Sequence, residues 1–209
     1  EISSIYGNAM KDRLYCEAPN SPVRRRTQTV MHRMAVALTK LLAPMIVFTA
    51  DEAWGYIQHK PAEDREAYSV HLALLPKSSG TEVSEEQKRE WDLLMELRDS
   101  ALLQLDALKK EAGMNKALDA EVVYYVEDDA LRRKLQEYGA DLEDLVGAGF
   151  HSFAEKDEKG PAVVVKVVDR RNTYQACARS WKRRPDVGSD AQYPDLCTRD
   201  AVAVREIGK

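Results

Sequence analysis

Residues 84–113 hold the longest helical pattern in the chain. Trp91, Leu94, Met95, Ala101, Leu102, Leu105 and Leu108 fall on one face of a single helix. Ser84 with Gln87 three residues on predicts its start as a capping box, and Ala112-Gly113 predicts its end. A stripe this long needs a partner layer. The Val- and Tyr-rich runs Glu121 to Val126 and VVVKVV, 163–168, read as strands that supply one. Asp128 and Asp141 are placed to cap short helices over Leu131–Tyr138 and Leu142–Val146. Lys159-Gly160-Pro161 turns the chain into the second strand. The first implication is a small α+β domain built on one long helix.

The part before it is helical. Ile2, Ile5, Ala9, Met10 and Leu14 predict a helix over 1–18. Pro19 and Pro22 bracket a turn, after which Ser21 and Pro22 open a second helix with the stripe Val30, Met34, Leu38, Leu41 and Leu42. Pro44 breaks it. The run Thr49 to Glu52 reads as a capping box for a third helix through Trp54 and Ile57. YSVHLALLP, 68–76, looks extended, and 77–85 is the best linker. The expected division is 1–78, a helical bundle; 79–158, a long helix with an α+β junction; and 159–209, a strand with a knuckle-like tail. The fold class is mainly α with a smaller α+β part.

Three further properties narrow the class. No run of the 209 residues is apolar and long enough to span a bilayer. Without a secretory leader, and with three scattered cysteines, the expected setting is a reducing cytoplasm and the expected state a monomer. A chain opening on Glu1 without Met is expected to be a processed or cut piece. Charge is uneven: 1–78 carries 10 basic and 8 acidic residues, 79–155 carries 9 and 19, and 156–209 carries 12 and 8. An acidic middle repels a polyanion, so any nucleic-acid contact is expected from the first and last parts.

Catalytic chemistry is not written in the chain. No phosphate-binding glycine loop and no G-x-S-x-G elbow occurs. His32, His59, His71 and His151 are not at ligand spacing from one another and read as ordinary residues. Basic residues are better organised. Arg26, Arg33 and Lys40 recur every seven residues, which puts them along one helix stripe that could track a phosphate backbone or simply face solvent. Near the end, Arg179, Trp181, Lys182, Arg183 and Arg184 join a large aromatic to four cations. Trp181 has two readings here: a platform for an unpaired base, with phosphates neutralised beside it, or the core of a small knuckle.

That tail has the frame of a zinc ribbon with two ligands replaced. Cys177 and Cys197 each open a four-residue frame, and the frames close on Ser180 and Asp200. A serine hydroxyl stays protonated at neutral pH, so Cys177, Cys197 and Asp200 leave a fourth position open. The expectation is a knuckle folded without metal, by packing Trp181 and Val187 against the 163–168 strand. The alternatives are a weak zinc site or a Cys177–Cys197 disulfide.

Together these stretches resemble one family. KDRLYCEAPNSPVRRRTQT, LTKLLAPMIVFTADEAW and SVHLALLP are similar in order and spacing to the helical anticodon-binding domain of isoleucyl-tRNA synthetases. KKEAGMNKALDAEVVYYV resembles that family's junction segment, and CARSW and LCTRD stand where it has C-x-x-C-W and L-C-x-R-C. Valyl and leucyl relatives share the bundle but lack this tail. The resemblance implies a C-terminal piece of a class I isoleucine–tRNA ligase that recognises the tRNA anticodon. The ATP- and Mg-dependent catalytic domain, with its HIGH-like and KMSKS-like motifs, and the editing domain would lie elsewhere in the parent. No catalytic residue and no resident cofactor are expected in the 209 residues. Implied partners are isoleucine tRNAs and the parent's other domains. A stand-alone RNA- or protein-interaction module of the same fold is the alternative.

Overall fold

A computed structural model describes residues 2–58, 68–78, 80, 82–155 and 161–208. Glu1, His59 and the Lys159-Gly160 turn fall outside them. The chain forms two compact units, one of residues 1–21 with 84–209 and one of residues 22–83. The first 21 residues therefore belong to the same unit as the later domain.

Those residues are helical, though not as one helix. A wide turn, Ile2–Tyr6, gives way to a single turn at Gly7–Ala9 and then to α1, Lys11–Tyr15. Met10 (φ −85°, ψ −6°) stands at the last joint, and it still links the turns, its N–H donating to the Tyr6 carbonyl at 3.0 Å and its carbonyl accepting from Leu14 N at 3.1 Å.

The unit of residues 22–83 contains α2, Pro22–Leu42, and α3, Val47–Gln58. The second starts two residues before the expected cap at Thr49, because the turn around Pro44 is closed by Met45 and Ile46 N–H groups donating to the Leu42 carbonyl. Ala43, Ala50, Trp54 and Val70 form a small core. Segment 68–76 is not extended throughout. Val70–Leu72 makes a 3₁₀ turn, pinned to α3 where Asp51 accepts from Ser69 Oγ at 2.7 Å and from Val70 N at 3.0 Å. The α2 stripe is only partly covered: Val30, Leu38 and Leu41 remain exposed, since α3 is the one long helix packed on it among the described residues.

The other unit continues with α4, Glu85–Ala112, whose capping box (Ser84 and Gln87) and left-handed Gly113 end (φ 61°) stand where the sequence puts them. Leu94, Leu97, Ala101 and Leu105 are its buried face. Trp91 is half-exposed instead, because the core under α4 begins at Leu93 and Leu94. Then follow β1, Ala120–Val126; α5, Asp129–Tyr138; α6, Ala140–Val146; β2, Phe150–Glu155; and β3, Val163–Asp169. Asp128 caps α5 as expected, with its carboxylate accepting from Leu131 N. Asp141 is not a cap: Gly139 holds that place (φ 50°), and Asp141 in the first turn accepts from Arg13.

Strand order is β2-β1-β3, with β2 parallel and β3 antiparallel to the central β1. The sheet lies on α4, where the Gln104 amide bonds the edge of β3 by donating to the Val165 carbonyl at 2.7 Å and accepting from Val167 N at 2.9 Å. β2 had no clear sequence signature: FHSFAE mixes apolar and polar residues without alternation, and none of them is fully buried. After β3 the two-residue hairpin partners β4, Gln175–Ala176, and β5, Arg183–Arg184, enclose a tight turn, and α7, Thr198–Ile207, closes the chain. Gly149 allows β5 to reach the sheet. A Cβ there would stand 2.2 Å from the Leu118 carbonyl and 2.9 Å from Arg183 N.

Candidate nucleic-acid interface

The turn between β4 and β5 carries the aromatic-cationic run. Its two ends close on each other: Cys177 N donates to the Lys182 carbonyl and Trp181 N to the Cys177 carbonyl, both at 2.9 Å. Trp181 is the only non-glycine with positive φ among the described residues (62°), a conformation that costs an L-residue about 1–2 kcal/mol. Its neighbours Ser180 and Lys182 are buried, and Trp181 itself is 65% exposed. The expected packing of Trp181 against the 163–168 strand is thus corrected: left-handed backbone turns the indole outward. Val187 joins a separate small core with Cys177, Leu196, Cys197 and Ala201.

Lys116 Nζ lies 6.0 Å from the centre of the Trp181 ring. Sixty-five positions separate the two, and no local pattern links them, so sequence reasoning passes Lys116 over. Beside Trp181 opens a cavity of ≈ 440 Å³, lined among others by Ala9, Tyr15, Leu118, Ala148, Ser180 and Trp181. Its walls are largely apolar, as suits a flat ring rather than a phosphate.

The four cations of the run have separate fates. Lys182 is 2% exposed. Its ammonium sits 3.1 Å from Asp144, 3.2 Å from Glu143 and 3.3 Å from Asp12. Burial lowers its pKa, but the three carboxylates outweigh that and raise it overall. Arg183 pairs with Asp119 at 2.5 Å. Arg184 pairs with Glu143 at 2.9 Å and Asp186 at 3.2 Å and lies over the Phe150 ring. Arg179 donates to the carbonyls of Cys16 and Tyr15 at 3.2 Å, uncharged partners, and has no ion-pair partner among the described residues. The structure therefore turns three of the four charges inward.

Three of their counter-charges, Asp12, Glu143 and Asp144, belong to one largely buried mesh. Arg13 bonds Asp144 at 2.7 Å and Asp141 at 2.6 Å. Glu143 also takes His151 Nδ1 at 2.8 Å. Burial pushes the Asp12 carboxyl up, yet Arg199 and Lys182 overcome this and hold its pKa at about 2. Arg199 then reaches Asp200, with Nη2 at 2.8 Å.

At Asp200 the mesh meets the cysteines. Cys177, Cys197 and Asp200 are fully buried, with donor atoms within 4.8 Å of one another, a group able to hold a metal ion. Both thiols are free. Cys177 faces two partners. As a thiol it donates to Asp200 Oδ2 at 3.0 Å; a hydrogen bond from the Cys197 thiol draws its pKa down to about 6 against its burial. Ser180 Oγ, at the fourth corner, is buried without a well-formed hydrogen bond. Zinc in a closed structural site takes four thiolate, imidazole or carboxylate donors. Three are present here and the fourth is a neutral hydroxyl, so the set does not fit a closed site.

In the other unit Arg26 and Arg33 are exposed on α2, without an ion-pair partner among the described residues. Lys40 is half-buried with its ammonium 5.2 Å above the Trp54 ring. His32 and His71 are exposed.

Comparison with known proteins yields a consistent picture. The family described as the anticodon-binding domain of tRNA ligase matches residues 1–124. The isoleucine–tRNA ligase of Brachyspira hyodysenteriae is 34% identical over 209 residues, covering 98% of this chain and 22% of the relative. That of Geobacillus thermodenitrificans is 35% identical over 212 residues, with 99% and 22% covered. That of Petrotoga mobilis is 30% identical over 209 residues, with 99% and 22% covered. The chain spans about a fifth of the length of the curated relatives it matches. No helix among the described residues is long and apolar enough to cross a membrane.

Proposed function

The chain belongs to the family of anticodon-binding domains of tRNA ligases, and from that premise we propose that it is the C-terminal, anticodon-reading part of an isoleucine–tRNA ligase. The parent joins isoleucine to its tRNAs in the cytoplasm as a monomer, with ATP and Mg²⁺ bound in a catalytic domain outside these residues. What this chain supplies is grip and register. A loop base stacks on Trp181, and the cavity beside it takes a second ring. Lys116 and Arg179 bring positive charge to that spot. Arg26, Arg33 and Lys40 on α2 offer a second, sequence-independent hold on the phosphate backbone.

The observation that carries this reading is the exposed indole held in left-handed backbone, with its flanking residues buried. An aromatic of this size displayed at an energetic cost is a surface built for a flat partner. The knuckle works without a structural zinc in this reading, because the Ser180 hydroxyl cannot complete the donor set. One chelator-resistant zinc per chain would overturn that part.

Titration of the 209-residue chain with isoleucine and non-isoleucine tRNAs tests the whole. The isoleucine tRNAs bind more tightly, and Trp181→Ala weakens binding by about 1–3 kcal/mol. Unchanged affinity in that variant would return Trp181 to a structural role.

A further inference from the structure

Lys182 is an odd residue for a nucleic-acid surface. It is next to the displayed indole, yet its own side chain is almost wholly enclosed. Its ammonium has three carboxylates around it, Asp12 from α1 and Glu143 and Asp144 from α6. Its backbone carbonyl closes the turn on Cys177 N. Ser180, on the other side of Trp181, is buried too. With both flanking side chains drawn inward and φ at 62°, the indole is left mostly exposed, beside Lys116 and the apolar cavity.

We propose that Lys182 is the positioning residue for Trp181: anchored in the Asp12–Glu143–Asp144 cage, it holds the turn in the conformation that presents the indole to RNA.

The anchor belongs to a closed circuit of contacts. Lys182 meets Asp12, Asp12 meets Arg199, Arg199 meets Asp200, and Asp200 accepts from the Cys177 thiol. Cys177 N then returns to Lys182 through the carbonyl. Every link is polar, and most are charge-assisted, the stronger class of hydrogen bond. Asp200 stands at a corner where a zinc ribbon has a thiolate, and here it ties the cysteine turn to α1 through Arg199. The circuit accounts for a turn that keeps its shape after two thiolates are gone. It also gives the cationic run a division of labour: Lys182 sets the geometry and does not touch the ligand.

The functional half of this proposal rests on the tRNA reading above; the conformational half does not. The test uses the 209-residue chain with its three tryptophans replaced by 5-fluorotryptophan. The fluorine resonance of Trp181 is assigned by its loss in Trp181→Phe. In Lys182→Met the Trp181 resonance moves or broadens while those of Trp54 and Trp91 stay, and tRNA affinity falls about 5- to 150-fold, the range of one lost base stack. Lys182→Arg restores both in large part. Asp12→Asn, which leaves Lys182 two carboxylates, shifts the same resonance by less. It keeps the test decisive if Lys182→Met unfolds and moves all three signals. An unmoved Trp181 resonance in Asp12→Asn, or in a folded Lys182→Met, overturns the proposal. The two readings separate cleanly. Affinity lost in Trp181→Ala but kept in Lys182→Met defeats the positioning role alone. A moved resonance with affinity indifferent to both variants defeats the tRNA reading alone.

Discussion

The tail and α2 each carry a group of cations, and the two groups have opposite fates. On α2, Arg26 and Arg33 face solvent. In the tail, Lys182, Arg183 and Arg184 are spent on Asp12, Asp119, Glu143, Asp144 and Asp186. Four of those five carboxylates lie outside the tail. Three come from the acidic stretch 79–155, which as a solvated surface would repel a polyanion, and one from α1. A dense basic run is therefore poor evidence for a basic surface when the same domain holds a matching acidic store. A sparser stripe on an exposed helix face is better evidence, because Arg26 and Arg33 have no ion-pair partner among the described residues.

The sharpest way to break this comparison is to remove a counter-charge. Glu143 is 1% exposed and answers Lys182, Arg184 and His151 at once. Glu143→Ala takes one carboxylate from Lys182, which keeps Asp12 and Asp144, and one from Arg184, which keeps Asp186, and it strips the His151 hydrogen bond, a loss of about 3 kcal/mol. Arg26→Ala removes an exposed charge and changes stability by less than about 0.5 kcal/mol. Urea unfolding of both variants measures the gap. Equal midpoints would mean that the tail cations are not internally committed.

How far the sequence told these regions apart depends on the range of the forces involved. Capping and turn chemistry are local, so the limits of α4, from Ser84 to Gly113, could be read directly. The Val- and Tyr-rich runs of β1 and β3 were equally plain. β2 was not, because FHSFAE pairs in parallel with β1 through its backbone while its side chains carry no alternation. The site was legible as a cluster but not as an arrangement. Cys177, Ser180, Cys197 and Asp200 stood out by spacing, and the structure brings them to one point. The inward turn of Lys182 depends on Asp12, 170 positions earlier, and on two acids of α6. No local pattern encodes a contact of that separation, and a window on either stretch shows only solvated charge.

A smaller effect follows from pH. Asp12 holds its pKa at about 2 in the folded chain because Arg199 and Lys182 outweigh its burial. The unfolded value is about 3.9. A depressed carboxylate stabilises the fold fully above its unfolded pKa, and the stabilisation fades as pH falls through the folded one. Between about pH 5 and pH 2 the chain loses roughly 2 kcal/mol from this group. Asp12→Asn lacks that component, so its stability declines less steeply over the same interval in acid titrations followed by circular dichroism.

The mildest perturbation sharpens the contrast most directly, because it reads availability instead of stability. Each phosphate contact adds about 0.7 to the slope of log affinity against log salt on a single strand. Arg33→Ala removes a cation that faces solvent, so the slope of tRNA binding becomes shallower by about 0.7 with the melting temperature unchanged. Arg183→Ala removes one already neutralised by Asp119 at 2.5 Å. Its slope stays at the native value, while the melting temperature falls because Asp119 is left half-buried and alone. The two substitutions delete the same side chain and differ only in what surrounds it. If Arg183→Ala lowered the slope and Arg33→Ala did not, the roles of the two regions would be reversed, and RNA would have to compete successfully with the acidic mesh for the tail.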